Sequence, residues 1–180
     1  MADVEVEKLK YPIGRFVKPS PLTHEILNTC IANIEMLPRR LGSAVTVLTD
    51  DQLDTEYRPG GWTIRQVVHH LADSHMNSYI RFKLAITEDK PTIKPYFENR
   101  WAELADARTM PVEVSLQLLT ALHARWTVLL RSLSEKDLKR TLIHPARGQE
   151  FELDEYITEY SWHCNHHLAH ITTLTKSKGW

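Results

Sequence analysis

Ten histidines occur in this 180-residue chain, and seven fall in two short segments: His69, His70 and His75, then His163, His166, His167 and His170. Imidazole is the commonest protein ligand for borderline divalent metals, and it titrates near neutral pH. In the run Tyr160-Ser-Trp-His-Cys-Asn-His-His-Leu-Ala-His-Ile171, helical geometry puts positions i and i+4 on one face, about 6 Å apart. His163 and His167 form one such pair, and His166 and His170 form a second. The first pair continues a stripe with Tyr156, Tyr160, Ile171 and Leu174, so it is expected to point inward. His166 and His170 share their stripe with Thr173 and Ser177 and are expected to point away.

A third ligand has to come from another helix. His70 falls with Val67, Leu71, Ser74 and Phe82 on the apolar side of its segment, whereas His69 sits beside Arg65 and Asp73, about 100° further round. His70, His163 and His167 are therefore the expected metal ligands. Three imidazoles with one open position is the arrangement of catalytic zinc, where a bound water becomes acidic enough to react near neutral pH. The pair lacks the intervening Glu of the metalloprotease motif. Asp73 and Glu159 are the nearest carboxylates in sequence to these histidines, as orienting groups or as a general base. Arg58, Arg65 and Arg81 are candidates for gripping an anion. Cys164 is turned about 100° from His163 and is not expected to act as a nucleophile.

The elements that must carry these residues read as helices. Ser20 and Pro21 look like a helix start, and Leu22, Ile26, Leu27, Ile31 and Ile34 form an apolar stripe that Pro38 should kink. Pro59-Gly-Gly61 forces a turn. Thr63 and Gln66 then make a capping box, with Trp62 placed to staple onto Val67. That second helix runs to Pro91. A connection with a short helical piece around residues 97–104 follows, where Trp101 has a chance of lining a pocket, while Trp62, Trp126 and Trp162 are expected in the core. A third helix opens at Pro111, Ser134 caps a short turn, and residues 140–153 suggest a small hairpin. The fourth helix starts near Asp154 and ends at Gly179. The expected fold is an all-α four-helix bundle over residues 20–180, preceded by an extended lead-in over residues 1–19.

Composition narrows the function. Lys+Arg total 22 against 23 Asp+Glu, without the basic excess that nucleic-acid binding requires. No apolar run is long enough to span a membrane, and the N-terminus is not patterned as a signal peptide. Two cysteines are too few for a disulfide framework, which fits a cytoplasmic, reducing compartment. Apolar residues near Tyr96, Phe97 and the lead-in are natural material for a homodimer.

The segment from Gly60 through Trp62 and His70 to Lys83, together with Trp162 to Ile171, resembles the YfiT group of the DinB-like four-helix-bundle metalloproteins, and the likeness runs from Tyr11 to Trp180. The resemblance implies a divalent ion, zinc or nickel, held by a His eight residues after the Trp that opens the second helix and by an H-x-x-x-H pair on the last. Those positions are His70, His163 and His167, the same three residues that the helical faces select. It further implies a cytoplasmic, homodimeric, metal-dependent hydrolase acting on a small molecule. Relatives that use bacillithiol or mycothiol make a thiol S-transferase the alternative, and a non-catalytic, metal-stabilised binding module is a third reading.

Overall fold

Side chains at the helix starts decide where the long segments begin. In the computed structural model, which describes residues 2–180 with side-chain environments from Glu5 onward, Thr63 accepts the Gln66 main-chain N–H while the Gln66 side chain accepts the Thr63 N–H. The same reciprocal box opens α3 at Thr49 and α8 at Ser134. The elements in chain order are α1 (Ala2–Lys10), α2 (His24–Val45), α3 (Asp50–Leu53), α4 (Ile64–Thr87), α5 (Glu98–Trp101), α6 (Ala105–Thr109), α7 (Val112–Arg131), α8 (Glu135–Leu138), β1 (Thr141–His144), β2 (Gln149–Glu152) and α9 (Leu153–Lys178). Gly179 ends α9 at φ 69°, in the left-handed conformation expected of that glycine.

The four long helices α2, α4, α7 and α9 make the bundle. Each packs on two others: α2 on α7 and α9, and α4 on the same two. Helices α2 and α4, consecutive among the long four, therefore stand diagonally opposed. Leu37, Leu41, Ile64, Val67, Leu71, Phe82, Leu119, Trp126, Ile157 and Ile171 are closed off from solvent between them. The hairpin β1–β2 pairs Thr141 with Glu152 and His144 with Gln149. The connection after α4 is stitched to it, Ile93 donating to the Ile143 carbonyl and Ile143 donating back to that of Pro91. Hairpin and connection together wall one side of the bundle. Among the described residues, no helix is long and apolar enough to cross a membrane.

Three expectations about local structure are corrected. Residues 2–10 form a helix and not an extended lead-in: Pro12, Gly14 and Pro19, which suggested an extended segment, all lie beyond its end. The first long helix starts at His24 with Thr23 as its cap, not at Ser20 and Pro21; the Ser20–Pro21 peptide is cis. Pro38 sits inside an uninterrupted α2. A proline removes the hydrogen bond to the carbonyl four residues back, here that of Ile34. In this fold that carbonyl finds another donor, described below.

Candidate metal centre

The capping box at Thr63 fixes the start of α4, and the turn before it sets Trp62. Tyr57 donates to the Trp62 carbonyl, and Gly61 donates to that of Arg58. Gly61 has no room for a side chain: a Cβ there would stand 2.7 Å from Arg58 Cγ. Trp62 does not act mainly as core filling. Its ring lies 4.6 Å from that of His70 and 6.3 Å from that of His167, so the indole covers the faces of two imidazoles.

His70 from α4 meets His163 and His167 from α9. One ligand nitrogen from each lies within 4.8 Å of the others, and the Nε2 atoms of His70 and His163 are 3.4 Å apart. That gap is long for an N–H···N bond. It equals the roughly 3.4 Å expected between two nitrogens that share a tetrahedral ion at about 2.0–2.1 Å. Burial pushes His70 down to about 3, helped by the charge of His170, and drives His163 and His167 well below the usual histidine range. All three are neutral at pH 7, the form that binds metal.

A buried chain of imidazoles decides which nitrogen of His163 carries its proton. His123 on α7 must donate from Nδ1 to the Ile34 carbonyl, 2.6 Å away, because a carbonyl only accepts. Its neutral Nε2 then accepts from Nδ1 of His75 at 2.8 Å. Nε2 of His75 in turn accepts from Nδ1 of His163 at 3.2 Å. His163 is left with an unprotonated Nε2 facing His70. The Ile34 carbonyl is free for this role because Pro38 has no N–H to give it. His75 and His123 were not singled out from sequence. Their signal is a histidine inside an apolar stripe, Leu119, His123, Trp126 and Leu130, all of which are buried.

His69, also buried, belongs elsewhere. Its Nε2 donates to the Met110 carbonyl at 3.1 Å and its Nδ1 accepts from Ser115 at 2.7 Å. The outward orientation expected for His166 and His170 is corrected, since both are buried, at 7% and 3% exposure. The end of α1 and the segment after it cover that face of α9: His170 Nε2 donates to the Lys10 carbonyl at 3.1 Å, Tyr11 packs 5.7 Å from His166, and Trp162 donates to the Gly14 carbonyl. His166, His167 and His170 form a second group whose nitrogens lie within 4.8 Å. It draws all its ligands from one helix and shares His167 with the first group.

The histidines open into a cavity of about 640 Å³, lined also by Trp62, Arg58, Arg81, Tyr96, Tyr160 and Glu159. Glu159 accepts from Arg147 at 2.6 Å through Oε1, while its Oε2 is buried without a partner. Asp73 lies outside the lining, half-buried, with its carboxyl pushed up to about 6 by burial and by Asp106. Arg65 is occupied by Asp50 and Asp54. Trp101 stays out of the cavity and packs on Tyr96 at 4.5 Å. Cys164 is buried and its thiol is pushed up, away from reactivity.

Comparison with known proteins agrees with this architecture. A protein of Oceanobacillus iheyensis named "Putative metal-dependent hydrolase" is 56% identical over 171 residues, covering 95% of this chain and 98% of its own. One of Bacillus cereus with the same name is 56% identical over 172 residues, covering 96% and 98%. The solved structure of YfiT from Bacillus subtilis, described as "a probable metal-dependent hydrolase with an unusual four-helix bundle topology", superposes with a TM-score of 0.94 at 50% identity, covering 96% of this chain and 99% of that one. A mycothiol-dependent maleylpyruvate isomerase shares the fold alone, with a TM-score of 0.64 at 18% identity over 81% of this chain and 60% of that one. The DinB superfamily model matches residues 33–171, and with that match and these relatives the chain belongs to the DinB superfamily.

Proposed function

We propose that this chain is a metal-dependent hydrolase of a small-molecule substrate, with one divalent cation, zinc or nickel, held by His70, His163 and His167. The observation that carries the reading is the convergence of three neutral imidazoles from two helices in the lining of an open cavity. What a divalent cation supplies when held this way is Lewis-acid activation of water near neutral pH. The remaining work falls to the chain. The His123–His75 relay holds the His163 proton on Nδ1 and keeps Nε2 free, Trp62 excludes water from the ring face of His70, and Glu159 offers Oε2 as the proton acceptor. Glu159 suits that role better than Asp73 because it lines the cavity.

The names of the 56%-identical relatives support hydrolysis. Thiol transfer is less favoured, since the mycothiol-dependent relative shares only the fold. A cytoplasmic homodimer fits two unpaired buried thiols and an exposed Phe97, and light scattering of the purified chain tests the dimer. The hydrolase reading is tested by metal analysis of untagged protein followed by a panel of ester, amide and phosphoester substrates. Turnover of at least one, abolished by chelator and by His70→Ala, supports it. Turnover that requires bacillithiol would favour the transferase, and metal binding that raises the melting temperature without any turnover would favour the binding module.

A further inference from the structure

The cavity continues along α4 beyond the histidines. His70, Ser74 and Arg81 all line it, and Arg81 comes three turns after His70, about 16 Å along the axis and within about 20° of the same face. Arg81 is only 7% exposed. A buried guanidinium normally carries a carboxylate, as Arg65 does with Asp50 and Asp54. Arg81 has none among the described residues. Its Nη1 donates to the Tyr156 hydroxyl at 3.0 Å and its Nη2 to the Lys94 carbonyl at 3.1 Å. A guanidinium has five N–H groups, so three remain, including Nε–H.

The surroundings leave that charge uncompensated. Glu159, the half-buried carboxylate of the cavity, pairs through Oε1 with Arg147 and makes no ion pair with Arg81, and Glu98 is exposed. Tyr96 and Tyr160 also line the cavity, close enough for their hydroxyls to bear on the Arg81 charge. A fixed, desolvated cation ringed by phenols, with unused donors in a fork, is built to take a planar or tetrahedral anion bidentately.

We propose that the region around Arg81 is a subsite for an anionic group, a carboxylate or a phosphate, on the molecule whose reacting bond reaches the histidines. The link to a reacting bond rests on the hydrolase reading, whereas anion binding at Arg81 does not. The substrate class is then a small anionic molecule, with its charged group at Arg81 and its reacting bond at the histidines.

The test is calorimetric titration of the metal-free, full-length protein with glutarate and, separately, with inorganic phosphate at pH 7.5. The wild type is expected to bind one equivalent of at least one probe, and the preferred probe identifies the anion. Arg81→Gln should weaken that binding by about tenfold or more, Arg81→Lys by less, and Arg58→Gln by under about threefold. No saturable binding of either probe by the wild type overturns the proposal, as does equal binding by Arg81→Gln, or an equal loss from Arg58→Gln, which would mean diffuse charge. If Arg81→Gln does not fold, Arg81→Lys decides, and undiminished affinity there overturns it. Zinc titration of the wild type is read separately: failure to bind zinc sinks the hydrolase reading and leaves the anion subsite standing.

Discussion

His123 donates its Nδ1–H to the main-chain carbonyl of Ile34 across 2.6 Å, and that carbonyl is the one Pro38 leaves without a helical partner. A proline in α2 thus fixes a proton on α7, which fixes one in His75 on α4, which leaves Nε2 of His163 on α9 bare. All four long helices take part in setting a single lone pair.

His123→Phe removes the anchor of that relay. It leaves the Ile34 carbonyl and the His75 N–H without partners, at a cost of roughly 1–3 kcal/mol for each group, and every ~1 kcal/mol lost lowers the melting temperature by about 2–4 °C in a chain of this size. Metal affinity should fall by about 10–100-fold, measured well below the melting temperature. Nitrogen NMR of the imidazoles separates this from plain destabilisation: the wild type should show His163 protonated on Nδ1 and the variant a mixture. An unchanged His163 tautomer in the variant would contradict the relay.

Acid should destabilise the metal-free protein. Burial holds His123 and His170 down at about 4, whereas unfolded histidine titrates near 6.5. Between those values the unfolded chain binds protons that the folded chain refuses, so stability is complete above about pH 7 and is lost as pH falls through 6.5 toward 4. Each such histidine contributes a slope of about 1.4 kcal/mol per pH unit in that window. Urea unfolding at pH 7.5, 6 and 5 measures it, and a midpoint constant over that range would contradict the burial account.

Glu159→Gln should leave metal affinity within a few-fold and reduce hydrolysis by about 10²–10⁴-fold, because it keeps the shape of a side chain that lines the cavity while removing the carboxylate whose Oε2 has no hydrogen-bond partner. Asp73→Asn, outside the lining, should change the rate by only a few-fold. The two variants compared on one substrate rank the carboxylates, and the reverse ranking would reassign the base.

Much of this was legible in the chain because it is local. The Thr63–Gln66 box, the short hairpin and the Gly179 terminus each depend on a few consecutive residues, and the choice of His70 over His69 follows from one helical face. What escaped depends on pieces distant in sequence. His166 and His170 read as outward because their own helix offers polar neighbours, but Lys10 and Tyr11 come from the other end of the chain to cover them. The partnership of His75, one of the clustered histidines, with His123 could not be read because it crosses between helices. Pro38 read as a kink because its consequence, a freed carbonyl, is harmless only once a donor from α7 arrives.

The central claim is the identity of the three ligands, and the direct measurement is zinc stoichiometry and affinity for the untagged wild type beside His70→Ala and His170→Ala. The account predicts one ion per chain in the wild type, loss of it in His70→Ala, and its retention in His170→Ala. An ion that survives His70→Ala and disappears in His170→Ala would place the metal in the group on α9 alone and contradict the account.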